Sequence, residues 1–178
     1  VPSAELSGRR ILIVDHNESN RTILHRLVSG WGMHDGQARN ATEAMEMLEQ
    51  AAAKGEPYDV AVLDMLMPGK DGLQLAQDIR AHQHGAEVRL VVLTSLIQPG
   101  HAERARKAGF TAYLTKPVRH DQLQGCLRVV FGAQHKLPAA AVGTGKEQPI
   151  SPTLITRHTL AEQSPRPRIL VAEDNVVN

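Results

Sequence analysis

The sequence predicts a doubly wound α/β domain. The expected form is a five-stranded parallel sheet in the order 2-1-3-4-5, with helices on both faces. Three observations predict it. Short apolar runs alternate five times with helical periodicity, and such alternation implies parallel strands joined by helical crossovers. Three of the runs, Ile11–Val14, Val60–Leu63 and Val88–Leu93, are apolar apart from Arg89, as strands buried on both faces should be. The segment 33–38 is instead polar, with Asp35 and Gln37, which suits an edge. Right-handed crossovers leave few topologies, and 2-1-3-4-5 puts the apolar strands inside.

Taken in order, residues 1–8 are a polar lead-in with Pro2 and Gly8. The first strand, 10–14, ends at Asp15-His16-Asn17. A helix follows with Ile23, Leu24, Leu27, Val28 and Trp31 on one face, and Gly30 and Gly32 end it. After the weak second strand, Thr42 is placed to cap a helix over 43–53. Ala44, Met45, Leu48 and Ala52 share one face there, and Glu43 sits in the first turn, where negative charge suits the helix dipole. Gly55 and Pro57 stop that helix. The third strand, 59–63, runs into Asp64, and a loop with Pro68, Gly69 and Gly72 follows. The helix 72–82 carries Leu73, Leu75, Ala76 and Ile79, and Gly85 breaks it. The fourth strand ends on Thr94-Ser95. Pro99-Gly100 opens a short charged helix, 101–108. The fifth strand, 111–114, ends at Thr115-Lys116-Pro117. The last helix, 119–131, spaces Leu123, Cys126, Leu127 and Val130 for a core.

Composition narrows the class. Hydrophobic residues make up 42% of the 178 but aromatics only 3%, so the core is aliphatic. The net charge of +1 argues against a nucleic-acid footprint. One cysteine, Cys126, excludes an internal disulfide and fits a reducing, cytoplasmic compartment. No apolar run reaches the length of a membrane span and no signal peptide opens the chain. Membrane contact by this stretch is therefore not expected. A parent protein would carry any anchor elsewhere.

Residues 133–167 hold five of the ten prolines and no hydrophobic periodicity, and read as a linker. After them, Arg168-Ile-Leu-Val-Ala-Glu-Asp-Asn-Val-Val-Asn178 repeats Arg10-Ile-Leu-Ile-Val-Asp-His-Asn-Glu-Ser-Asn20 with five identities in eleven. The match extends past the apolar strand into its polar end, so chance is a poor account. The expected reading is the first strand of a second, similar domain, with the acidic pair Glu173-Asp174 at its end. In the first copy, His16 stands where the second has Asp174.

Four strand ends carry functional groups: Asp15/His16, Asp64, Thr94/Ser95 and Lys116. In the order 2-1-3-4-5 they converge on one crevice at the carboxyl edge, where open α/β sheets bind ligands. Singly each is commonplace; an Asp after a strand often only forms a turn. Together, clustered carboxylates need a cation, and hard oxygen donors suit Mg²⁺. A lysine and a hydroxyl beside them suit phosphoryl oxygens, and a carboxylate can be a phosphoryl acceptor.

The motifs VDHN at 14–17, LDMLMPGKDG at 63–72, LTS at 93–95 and YLTKPV at 113–118 resemble the receiver domain of two-component response regulators, over residues 9–132. The linker and cut repeat resemble tandem receivers at the end of hybrid sensor histidine kinases. The resemblance implies a flavodoxin-like fold with Asp64 taking phosphate from a phosphohistidine. It implies Mg²⁺ held by Asp15, Asp64 and the backbone carbonyl of Leu66, and phosphoryl contacts from Thr94 and Lys116. It places Tyr113 at an aromatic switch position coupled to Thr94, with 101–108, 111–114 and 119–131 as the reporting surface. The implied partners are a histidine kinase or phosphotransfer domain, in cis or in trans, and the second receiver.

His16 departs from the family, which has a metal-binding carboxylate there. An imidazole is a poor Mg²⁺ ligand. One expectation is weakened Mg²⁺ affinity, with Mn²⁺ or Zn²⁺ better tolerated. The other is that His16 points away and the site works through Asp15, Asp64 and water. Leu66 and Leu96, two residues beyond Asp64 and Thr94, offer nothing to orient a water, so phosphate loss should be slow. A haloacid-dehalogenase-like phosphatase needs an acid at position 66, which is Leu. A nucleotide fold wants glycines after the first strand, and acids stand there. The serious rival is a receiver-shaped docking module that is never phosphorylated. No ATP-binding segment is present, so kinase activity belongs to other parts of a parent chain.

Overall fold

The computed structural model describes residues 4–83, 85–95 and 101–132. The elements are β1 Arg10–Val14, α1 Glu18–Gly30, β2 His34–Ala38, α2 Ala41–Ala53, β3 Val60–Asp64, α3 Gly72–Ala81, β4 Arg89–Thr94, α4 His101–Lys107, β5 Ala112–Thr115 and α5 His120–Gly132. The strands form one sheet in the order β2-β1-β3-β4-β5, every pair parallel. This is the expected topology. The linker 133–167, the second copy 168–178 with Glu173 and Asp174, Leu96 and Pro99-Gly100 lie outside the described residues.

Strand alternation divides the core in two. Leu12, Val14, Ala61, Leu63, Leu90 and Val92 pack under α2, α3 and α4 through Ala44, Leu48, Leu75, Ile79 and Ala105. Ile11, Ile13, Val60, Val62, Val91 and Leu93 face α1 and α5 through Leu24, Val28, Leu123, Cys126, Leu127 and Val130. The central strands are buried apart from the half-buried Arg10 and Arg89 that open β1 and β4, while β2 is largely solvent-facing. The long continuous runs and the polar edge segment thus had the same cause: how many faces each strand covers.

Four local expectations need correction. Asn40, not Thr42, caps α2. Its backbone is extended and its side chain accepts from the Glu43 N–H at 2.9 Å, the geometry a cap requires. Thr42 lies inside the helix, exposed. Ile23 is 54% exposed: it adjoins Leu24 on α1, and at about 100° per residue the buried stripe takes Leu24 and Val28. On α2, Ala51 is buried and Ala52 only half-buried. The lead-in also belongs partly to the core. Leu6 is wholly buried among α1 and α5 residues, and the Gly8 N–H donates to the Gly32 carbonyl at 2.8 Å. A single Leu among polar residues has no periodicity to reveal this.

The amino edge is held by Arg80, whose guanidinium donates to the carbonyls of Gly85 (2.6 Å), Val88 (2.7 Å) and Gly109 (2.8 Å). It ties α3 to the loop entering β4 and the turn leaving α4. Among the described residues, no helix is long and apolar enough to cross a membrane.

Candidate functional site

Parallel pairing sets the strand ends level. Val14 pairs with Leu63, Asp64 with Leu93, and Thr94 with Thr115. Asp15, Asp64, Thr94 and Lys116 therefore arrive at one carboxyl edge, as expected. Beyond Asp64 the chain stays anchored: the Met65 N–H donates to the Leu93 carbonyl at 2.8 Å. Met65 and Met67 are buried and Leu66 between them is 48% exposed. Gly69 has a φ of 84°, which a side chain disfavours, and Gly72 brings α3 back so that its N–H reaches the Met65 carbonyl at 3.1 Å.

Asp15, Asp64 and Thr94 are the buried polar residues among those described. Lys116 Nζ lies 2.7 Å from Asp15 Oδ2 and 3.0 Å from Asp64 Oδ1, and its backbone N–H donates to the Thr94 carbonyl at 2.7 Å. Two buried carboxylates thus share one ammonium. Burying a charge is costly unless it is compensated, so the surplus negative charge favours a further cation. Leu66, expected to offer a carbonyl, donates its N–H to Asp64 Oδ1 at 3.3 Å.

His16 does not point away. Its Nδ1 lies 3.2 Å from Asp64 Oδ2 and 3.8 Å from Asp15 Oδ1, on the open side of the cleft. Asp15, His16 and Asp64 each offer one donor atom, all within 4.8 Å of one another, so the three could hold a metal ion. Tyr113 is buried, so its ring lies inside the fold. Burial pushes its phenol upward from its usual range, and a hydrogen bond with Thr94 partly opposes that.

Two residues were missed in the sequence. Asn20 Nδ2 donates to Asp15 Oδ2 at 3.0 Å, and Arg21 donates to the backbone carbonyl of Asp15 at 2.8 Å. With the Asn17 N–H on Asp15 Oδ1 at 2.8 Å, they fix the carboxylate from the start of α1. A signal for Asn20 existed: it is one of the two asparagines identical in both copies of the repeat, as Asn178.

Comparison with known proteins agrees with this geometry. The model of the response regulator receiver domain matches residues 11–128, and the chain belongs to that family, the receiver modules of two-component signalling. It is 31% identical over 127 residues to the sensor histidine kinase GacS of Pseudomonas protegens, covering 68% of this chain but 13% of that one. It is 28% identical over 126 residues to the chemotaxis protein CheY of Halobacterium salinarum, 71% of this chain and 99% of that one. Among solved structures, the receiver domain of the Pseudomonas aeruginosa sensor histidine kinase PA1611, described with a magnesium ion coordinated in its active site cleft, superimposes with a TM-score of 0.62. That likeness has 28% identity over 71% of this chain and 99% of the other.

Proposed function

We propose that residues 9–132 form a working phosphoacceptor, in which a carboxylate oxygen of Asp64 takes a phosphoryl group from a phosphohistidine. The observation that carries this is the placement of Asp64, 3% exposed, at a strand end beside Asp15 and bridged to it by Lys116. An O–P bond forms at Asp64 and the P–N bond of the donor breaks, its electron pair returning to the donor imidazole. Lys116, already on the Asp64 oxygen, follows the charge onto the phosphoryl group, and the Thr94 hydroxyl bonds another phosphoryl oxygen.

The donor set fits a divalent cation: Asp15 and Asp64 supply buried oxygens, and the Leu66 carbonyl completes the set. Mg²⁺, or Mn²⁺ as the alternative, would supply charge neutralisation of the phosphoryl oxygens during transfer. Thr94 and Tyr113, already in contact, form the switch, and α4, β5 and α5 present its state. The donor is a histidine kinase or phosphotransfer domain, in cis or in trans. Residues 133–167 link this receiver to a second one beginning at 168–178, whose acidic pair is Glu173 and Asp174, in the manner of a hybrid sensor histidine kinase. The working compartment is the cytoplasm, without nucleic-acid or membrane contact by this stretch.

A second reading, a docking module that is never phosphorylated, is favoured by one observation. Both Asp64 oxygens have partners, Oδ1 from Lys116 and the Leu66 N–H and Oδ2 from His16. Intact mass after incubation with a small phosphodonor and Mg²⁺ or Mn²⁺ separates the two. A phosphoryl gain absent in Asp64→Ala supports the acceptor; no gain in either metal, from the small donor or a partner kinase, supports the docking module.

A further inference from the structure

We infer that His16 is a direct ligand of the cleft's cation through Nδ1, so that this receiver has a mixed nitrogen–oxygen site and prefers a first-row transition cation to Mg²⁺. The inference rests on the proposed reading of the cleft as a cation site and goes further by adding a side-chain nitrogen to the proposed oxygen donors and by assigning the class of metal.

Lys116 occupies Asp15 Oδ2 and Asp64 Oδ1. The remaining oxygens, Asp15 Oδ1 and Asp64 Oδ2, are the two that His16 Nδ1 approaches, at 3.8 and 3.2 Å. Donors bound at about 2.1 Å stand roughly 3.0 Å apart at right angles and about 3.4 Å apart in a tetrahedron. The His16–Asp64 separation of 3.2 Å falls in that range, and the His16–Asp15 separation of 3.8 Å lies a little beyond it. His16 is 46% exposed, so the ring faces solvent on one side and ligation does not require unpacking the core. Asp15 Oδ1 accepts only from the Asn17 backbone N–H among the described residues, which leaves it a lone pair.

A carboxylate at position 16 would give three hard oxygens and a third negative charge. The imidazole removes that charge and offers a softer nitrogen. Mg²⁺ keeps oxygen donors and octahedral water, whereas imidazole suits Zn²⁺, Fe²⁺ and Ni²⁺. Two aspartates and one histidine therefore shift selection away from Mg²⁺.

The test reads metal binding, not phosphorylation. The 178-residue chain is titrated with Mn²⁺ and followed by electron paramagnetic resonance, then challenged with Mg²⁺; His16→Ala, His16→Asp and Asp64→Asn are run beside it. The expected wild-type result is hyperfine coupling to a nitrogen on bound Mn²⁺, with Mg²⁺ needed in more than about tenfold excess to displace it. His16→Ala should lose the nitrogen coupling. His16→Asp should lose it and tighten Mg²⁺ by about tenfold or more. Asp64→Asn should abolish binding, which separates the cleft from the other histidines. A wild-type signal without nitrogen coupling, a Mg²⁺ affinity equal in wild type and His16→Asp, or binding retained in Asp64→Asn overturns the inference. Failure of the phosphoacceptor reading is distinguishable, because it would leave these metal results intact while Asp64 gained no phosphate.

Discussion

Gly72 sits directly beneath Asp64: a Cβ added at Gly72 would lie 2.5 Å from the Asp64 carbonyl oxygen and 3.1 Å from the Met65 Cα. Both neighbours are backbone and cannot rotate aside. The start of α3 is thereby pressed against the strand end that carries the acceptor. Gly72→Ala is expected to destabilise the domain by about 1–3 kcal/mol and to slow phosphoryl gain at Asp64 by displacing it. Chemical denaturation and the rate of mass gain check both; a fully stable, equally fast variant would show that α3 does not position Asp64.

Lys116 is the only ammonium between two buried carboxylates among the described residues. In Lys116→Met those acids would face each other without it, and the loss should be roughly 3–5 kcal/mol, as when one partner of a buried pair is removed. Adding Asp15→Asn should recover part of it. Denaturation midpoints for the single and double variants decide the matter, and a single variant as stable as the wild type would mean solvent screens the pair.

Leu66 projects outward, 48% exposed, two residues past the acceptor, and carries no group that could orient water. Leu66→Asn should shorten the aspartyl-phosphate lifetime by about tenfold, within the range of positioned acid–base assistance. A time course of mass loss after removing the phosphodonor measures it. An unchanged lifetime would place control of hydrolysis elsewhere.

Cys126 lies on the buried face of α5, and burial pushes its thiol from 9.0 up to about 12. The folded thiol stays neutral where the unfolded one ionises, so the unfolded chain binds fewer protons above pH 9. Stability is full below that pH and falls as pH rises toward about 12. Alkylation at pH 8 should be negligible until denaturant unfolds the domain. Cys126→Ala should flatten the alkaline decline, and rapid alkylation of the folded protein would contradict the burial.

Much of this was legible in residues. The runs at Ile11–Val14 and Val60–Leu63 and the polar edge segment specified the sheet order, because burial on two faces or one leaves a direct mark on composition. Asp15, Asp64, Thr94 and Lys116 were legible because each ends a strand, and topology alone then brings them together. What escaped reading depends on side-chain reach. Arg80 reaches three carbonyls in two loops from a helix where an arginine is unremarkable. Leu6 packs as a lone apolar residue. The choice of Asn40 over Thr42 as cap turns on backbone angles two residues apart. The direction of His16 depends on its side-chain torsions, since position alone allows an imidazole turned in or out.

The most direct measurement is the identity of the phosphorylated residue. The chain is treated with a small phosphodonor and divalent cation, reduced with borohydride so that an aspartyl phosphate becomes homoserine, digested and sequenced by mass spectrometry. The account predicts homoserine at position 64 and nowhere else. An unmodified Asp64 with label on another residue, or no label after presentation of a phosphorylated partner domain, would contradict it.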